Sequence, residues 1–158
     1  MSNASFMLAI CLLVCLITLS CHHIDNLESS ASSPKPILGT WKLLTGTLIE
    51  KGDTSVTDYT KNVSFIKIIN DSHFSFIQHD LNKGKDSAAV FSSGAGTYSL
   101  KDSSYTEHLE YCSAREWEGH DFTFTVEIKN DTFIQRGIEK VENLGIERLN
   151  IEKYVRVK

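Results

Sequence analysis

The sequence lacks the basic patch that nucleic-acid-binding proteins carry. Among its 158 residues, 16 Lys and Arg stand against 20 Asp and Glu, which gives a net charge of -4. No window combines a basic cluster with interleaved aromatic residues, so we exclude nucleic acid as a partner. With 41% hydrophobic and 23% charged residues, the chain fits one ordinary globular domain with a short appendage.

Spacings typical of metal, phosphate and catalytic-cysteine sites are missing as well. Gly94 and Gly96 precede a predicted strand, so they indicate a bulge or a turn and not a phosphate-binding loop. The residues around Cys112 match no nucleophile motif. The histidines of the domain do not have the spacing of metal ligands; they are His73, His79, His108 and His120. We therefore expect neither a metal nor another cofactor.

The longest hydrophobic run lies near the N-terminus, at Phe6–Leu19, and contains no charged residue. It is shorter than the roughly 20 apolar residues that a membrane-spanning helix needs. No Lys/Arg stop-transfer cluster follows it, so it predicts a secretory signal over residues 1–20, with an uncleaved anchor as the alternative.

The end of this run, Thr18-Leu-Ser-Cys21, resembles the bacterial lipobox. The resemblance implies that Cys21 is acylated and begins the mature protein, which would anchor it in the outer membrane of a bacterial envelope, on either face. In the alternative, Cys21 simply ends a hydrophobic run. Residues 21–36 are polar and Ser-rich and end with two prolines, which is typical of a flexible stalk. With Cys21 acylated, Cys112 has no disulfide partner and is expected to be a small buried side chain.

The remaining domain, residues 37–158, shows period-2 alternation and frequent turn residues, and no long helical pattern. The predicted strands cover residues 40–50, 63–69, 73–80, 88–91, 95–101, 104–112, 122–129, 132–140 and 146–157. A meander of this kind predicts an all-β fold, an antiparallel up-and-down barrel of about eight strands, because closure removes exposed edges. A two-sheet sandwich is the alternative.

Gly39-Thr-Trp41, at the head of the first strand, resembles the Gly-X-Trp signature of the lipocalins and their relatives. The resemblance implies that Trp41 plugs the closed end of the barrel and that an arginine near the end of the last strand packs across its ring. Arg156 is placed to do this, as a cation–π pair. Glycine would let the entering chain pass tightly beneath the barrel.

A closer resemblance runs through Gly94–Tyr98, Tyr105–Tyr111 and Gly119–Phe124, together with His73-Phe74. These segments look like the lipocalin-like lipoproteins of Bacteroidetes, whose function is uncharacterised. This resemblance spans about residues 37–158 and implies a barrel with an interior that can hold a ligand. The last strand departs from the usual pattern, because Tyr154 stands where such proteins carry Trp.

Alternation along the strands predicts which side chains face the barrel interior. The predicted ligand pocket consists of Phe76, Tyr105, Glu107, Tyr111 and Phe124. Among these, Glu107 must be paired, hydrogen-bonded or protonated to escape the cost of desolvation. It is either a polar anchor for a ligand or half of an internal pair with a tyrosine hydroxyl or with an arginine such as Arg136.

These observations predict a monomeric, lipid-anchored barrel that binds a small apolar or amphipathic molecule and is not an enzyme. One alternative is a protein-binding module that uses the outer face of the barrel or its loops, which would show a filled interior and an exposed apolar patch. The other is an enzyme that uses Glu107, which would require a second titratable group within reach.

Overall fold

The protein is a closed antiparallel β-barrel of eight strands with one additional strand, which confirms the predicted fold class. A computed structural model describes residues 36–85, 87 and 89–158. The strands are β1 Gly39–Glu50, β2 Asp53–Asp58, β3 Val63–Ile69, β4 His73–Asp80, β5 Phe91–Lys101, β6 Ser104–Cys112, β7 His120–Lys129, β8 Thr132–Val141 and β9 Ile146–Arg156. Short 3₁₀ turns occupy Arg115–Trp117 and Glu142–Leu144.

Pairing between β1 and β9 closes the barrel. On its other edge, β1 pairs first with β3, through residues 39–42, and then with β2, through residues 45–50. Strands β2 and β3 therefore follow the same edge of β1 one after the other, and β2 lies beside the part of β1 whose other edge pairs with β9. All six residues of β2 are exposed.

The predicted signal segment, Cys21 and the stalk up to residue 35 lie outside the described residues. Within the part of the chain that the structure describes, no helix has the length and apolar character needed to cross a membrane.

The predicted strands differ from the observed ones at two places. Strand β2, whose sequence is DTSVTD, has only one large apolar residue and no buried face, so its alternation carries no signal. Strand β5 is continuous over Phe91–Lys101, whereas the sequence predicts two strands, at 88–91 and 95–101, with an interruption at the small residues 92–94. Both differences have one cause, because pairing with neighbouring strands stabilises segments of low intrinsic strand propensity.

Two β-bulges change which side chains face the interior. In β6, Leu109 pairs with Gly96 and Tyr111 with Ala95, so Glu110 is the extra residue. A Cβ on Gly96 would lie 1.8 Å from the carbonyl oxygen of His108, and only glycine allows the two strands to approach this closely. A second bulge, in β1, places Leu44 between the pairs made by Leu43 and Thr45.

The hydrophobic core fills the end of the barrel where the chain enters and leaves. Its fully buried side chains are Ile37, Trp41, Leu43, Phe74, Tyr105, Phe133 and Tyr154. Ring centroids lie 5.2 Å apart in both the Trp41–Phe133 pair and the Phe133–Tyr154 pair. Such contacts stabilise a core beyond the area that they bury. This end of the barrel is therefore closed, and any ligand must enter from the other end.

Candidate functional site

Arg156 joins the entering and leaving chains beneath the closed end. Its guanidinium carbon lies 4.0 Å from the centroid of the Trp41 ring. The same group donates hydrogen bonds of 2.6 Å to the carbonyl oxygens of Leu38 and Pro36. Gly39 has a φ of 132°, and a Cβ there would lie 2.7 Å from a guanidinium nitrogen, so a side chain at this position would displace the arginine. The glycine, tryptophan and arginine of the motif thus form one contact group.

Above this core lies a cavity of about 260 Å³ that reaches the opposite end of the barrel. The exposed residues Thr57 and Ala114 mark its mouth. For comparison, an engineered apolar cavity of about 150 Å³ holds benzene. The barrel interior is therefore open and has room for a small molecule.

One side of the cavity is apolar. We call this side the apolar wall; it comprises Phe65 on β3, Phe76 on β4, Leu109 on β6 and Phe122 and Phe124 on β7. The rings of Phe65 and Phe76 are stacked with their centroids 5.7 Å apart. This wall offers a ligand a surface for hydrophobic and stacking contacts.

The opposite side of the cavity is polar. We call this side the polar wall; it comprises Gln135 and Glu139 on β8 and Arg148, Asn150 and Glu152 on β9. Antiparallel register places Gln135 opposite Glu152 and Glu139 opposite Arg148. Each of these two pairs forms a hydrogen bond of 2.7 Å. Cross-strand pairing therefore holds the polar wall in place.

A buried ion pair spans the barrel between the cavity and the core. Lys67 Nζ on β3 lies 2.6 Å from Glu107 Oε1 on β6, and both residues are buried. The ammonium group also donates a hydrogen bond of 2.9 Å to Gln135 Oε1. The rings of Phe74, Tyr105 and Tyr154 surround it, with Nζ 5.6 to 5.9 Å from their centroids. Each charge thus has its partner, which a buried charge requires.

Near the mouth, Arg148 links the polar wall to the loop between β6 and β7. Its guanidinium carbon lies 5.1 Å from the ring centroid of Trp117, and its Nε donates to Glu139 Oε2. Glu139 Oε1 accepts a hydrogen bond of 2.7 Å from Asn150. Burial raises the pKa of Glu139 above its usual range, and the neighbouring Arg148 opposes this shift.

Glu152 differs from the other carboxylates of the cavity, because neutral groups hold it. Its Oε2 accepts hydrogen bonds from Gln135 Nε2, at 2.7 Å, and from the hydroxyl of Tyr154, at 2.6 Å. Burial and the charge of Glu152 raise the pKa of Tyr154 well above its ordinary value, so the tyrosine remains a donor.

The comparisons with known proteins show no family. No family model and no curated protein matches the sequence. Among the solved structures that match is an uncharacterized protein from Bacteroides eggerthii DSM 20697, with 15% sequence identity and a TM-score of 0.43. The match covers 76% of this chain and 98% of the other.

The structure brings three of the five predicted pocket residues to the cavity. Phe76, Glu107 and Phe124 line it. Tyr105 is completely buried in the core below, and its hydroxyl has no hydrogen-bond partner among the described residues. Burial, together with the charge of Glu107, raises the pKa of this hydroxyl.

The placement of Tyr111 in the pocket is wrong. Its side chain lies on the outer face of the barrel and is 66% exposed. The bulge at Glu110 inserts one residue and so reverses the alternation beyond it. Cys112, the next residue, lines the cavity instead. The suggested partner of Glu107, Arg136, is also wrong, because Arg136 is exposed and the pair is made by Lys67.

Sequence reasoning missed Lys67 and the whole polar wall. In β9 the outward residues Leu149 and Ile151 are more apolar than the inward residues Arg148, Asn150 and Glu152, so hydrophobic alternation indicates the wrong face. The acids and bases of β9 do not mark the inward face either, because Glu147 and Lys153 are exposed on the outer face. In the part of the chain that the structure describes, no group of three or more His, Cys, Asp or Glu could hold a metal.

Proposed function

We propose that this protein binds a small amphipathic molecule inside its barrel. The observation that carries the proposal is the cavity of about 260 Å³ with an apolar wall on one side and a polar wall on the other. Small-molecule sites typically combine an apolar lining with a few placed polar groups. A purely apolar ligand would offer no donor to Glu152 Oε1, which accepts no hydrogen bond from the described residues, and covering such an atom costs free energy.

We also propose binding in preference to catalysis. Lys67 and Glu107 are engaged with each other at 2.6 Å, and Gln135 Oε1 accepts a second hydrogen bond from the ammonium group. A general base needs free access to the proton that it removes. Because each group already has its partner, the pair is suited to a structural role in the floor of the cavity.

Binding is tested by titrating the uncharged fluorescent probe N-phenyl-1-naphthylamine and following its emission. We expect saturable binding to the wild type and a dissociation constant at least about tenfold larger for Cys112→Trp, because the indole occupies the cavity; tenfold corresponds to about 1.4 kcal/mol. The matched control is Tyr111→Trp, which adds the same ring one residue away on the outer face. Equal loss of binding in both variants, or no binding to the wild type, would contradict the proposal.

A second candidate function is favoured by the outer surface. On the side formed by β4, β5 and β6, Ile77, Phe91 and Tyr111 are 37%, 72% and 66% exposed. Exposed apolar groups of this kind are typical of protein-binding surfaces. If no probe binds the interior, this face becomes the preferred site of function.

For its location we propose a monomer anchored through an acylated Cys21 to the outer membrane of a bacterial envelope. The support is the uncharged run before Ser20-Cys21 and the polar stalk after it. Cys21→Ala is expected to move the protein from the membrane fraction to the soluble or unprocessed pool, measured by fractionation and immunoblotting. Processing at the same site with unchanged membrane partitioning would contradict lipidation.

A further inference from the structure

We infer that the ligand carries a positively charged group, an ammonium or a guanidinium, that binds the carboxylate of Glu152. This inference rests on the proposed function, because it names the chemical class of the molecule that enters the cavity. It follows from the charges that the cavity contains and from the partners that each of them already has.

The cations and the carboxylates of the cavity do not balance. Its lining contains three carboxylates, Glu107, Glu139 and Glu152, and two cations, Lys67 and Arg148. Lys67 lies 2.6 Å from Glu107, and Arg148 lies 2.7 Å from Glu139. Two of the carboxylates are thereby neutralised, and the third charge remains.

Glu152 has no ion pair with any of the described residues. Both of its hydrogen bonds, from Gln135 and from Tyr154, reach the same oxygen, Oε2. Its Oε1 accepts none within this part of the chain and belongs to a residue that lines the cavity. An ionised carboxylate in this position retains capacity for further donors.

The negative charge of Glu152 acts on the groups around it. Burial raises the pKa of Tyr59 and of Tyr154, and the charge of Glu152 adds to both shifts. The charge also contributes to the raised pKa of Glu139, after burial. The part of the cavity around Glu152 therefore favours a cation over an anion.

Aromatic rings that line the cavity favour the same kind of ligand. The centroid of the Phe65 ring lies 5.7 Å from that of Tyr59 and 6.4 Å from that of Tyr154, which donates to Glu152. The faces of such rings attract cations, and the attraction increases when water is excluded. A ligand with an apolar body and an amine could place its body on the apolar wall and its charge on Glu152.

An anionic amphiphile, such as a fatty acid, fits this cavity poorly. Its carboxylate would approach the uncompensated charge of Glu152, while Lys67 and Arg148 are engaged with their own carboxylates. An anion could bind the remaining N–H groups of Lys67 or Arg148, but the charge of each cation is already balanced by Glu107 or Glu139, so the anion would add a net negative charge to a cavity lined by aromatic rings.

The test uses three ligands with one apolar body: 1-naphthylmethylammonium, 1-naphthylmethanol and 1-naphthoate. Each competes against N-phenyl-1-naphthylamine for the full-length protein at neutral pH. We expect the ammonium compound to bind about 10- to 100-fold more tightly than the alcohol, the range for a charge-assisted hydrogen bond in a partly desolvated site. The naphthoate is expected to bind most weakly.

Glu152→Gln should reduce the preference for the ammonium compound to less than about threefold, a difference under 1 kcal/mol. The amide can still accept from Gln135 and Tyr154, so the fold is expected to survive. The matched control is Glu127→Gln, which changes the net charge equally at an exposed position on β7 and should leave the preference intact.

The two proposals fail in distinguishable ways. If the neutral probe binds the wild type but the ammonium compound shows no preference over the alcohol, the cation inference is overturned and binding in the barrel stands. Tightest binding of naphthoate overturns it as well. If no compound binds, the proposed function fails with it. The wild-type ranking decides these cases even if Glu152→Gln does not fold.

Discussion

Trp41→Ala is expected to lower the free energy of unfolding by about 3–5 kcal/mol, the range for deleting a large buried aromatic side chain. Trp41 is completely buried, and its Nε1 donates a hydrogen bond of 2.8 Å to the carbonyl oxygen of Ile37. The substitution removes the contacts with Phe133 and with the guanidinium of Arg156 as well. Urea denaturation followed by circular dichroism measures the effect.

The matched control is the other tryptophan of the chain, Trp117. It lies at the mouth of the cavity, is only partly buried, and packs on Phe122 with ring centroids 5.6 Å apart. Trp117→Ala should cost clearly less than Trp41→Ala, because its surroundings are already partly hydrated. A similar cost for the two variants, or a cost below about 1 kcal/mol for Trp41→Ala, would contradict the packing of the closed end.

Lys67→Met is expected to destabilise the protein by about 3–5 kcal/mol, the range for removing one partner of a buried ion pair. The substitution leaves Glu107 buried without its cation and removes the donor to Gln135. The double variant Lys67→Met/Glu107→Leu should recover most of the loss, because two apolar side chains of similar volume replace two charges. Chemical denaturation of both variants provides the comparison.

The control for Lys67→Met is Lys140→Met, on β8. Lys140 is about half exposed and forms ion pairs of 3.3 Å and 3.6 Å with Glu142 and Glu147. Surface ion pairs typically contribute between 0 and about 1 kcal/mol, so this variant should be nearly neutral. A loss for Lys67→Met no larger than that of the control would show that the Lys67–Glu107 pair is not a buried pair in solution.

Most of the fold could be predicted from the sequence, because its signals are local. Turn residues such as Asp102 and Asn130 adopt the left-handed φ that they tolerate better than most side chains, and they separate strands whose alternation is clear. The motif Gly39-Thr-Trp41 indicated the entry to the barrel, and the structure places Arg156 on the tryptophan ring. Strand β2 was not predicted, since it has no buried face and therefore no alternation of apolar and polar residues.

The candidate site could be predicted only in part, because alternation holds only while a strand remains regular. Phe76 and Phe124 lie in strands without a bulge, and Glu107 precedes the bulge of β6. All three line the cavity. Tyr111 follows the bulge at Glu110 and lies on the outer face. A bulge depends on the pairing of two strands, here on the close approach that Gly96 permits, so it leaves no periodic signal within β6 itself.

The sequence by itself determined the all-β class and an antiparallel barrel of about eight strands, because period-2 patterning and turn chemistry act between near neighbours. Tertiary structure decided which charges share the interior. Lys67 and Glu107 are 40 positions apart and meet only across the closed barrel. The polar wall arises from the register of β8 with β9, and the charge left on Glu152 emerges only when all of these pairs are counted together. Pairing over such distances is set by three-dimensional closure, which no local pattern encodes.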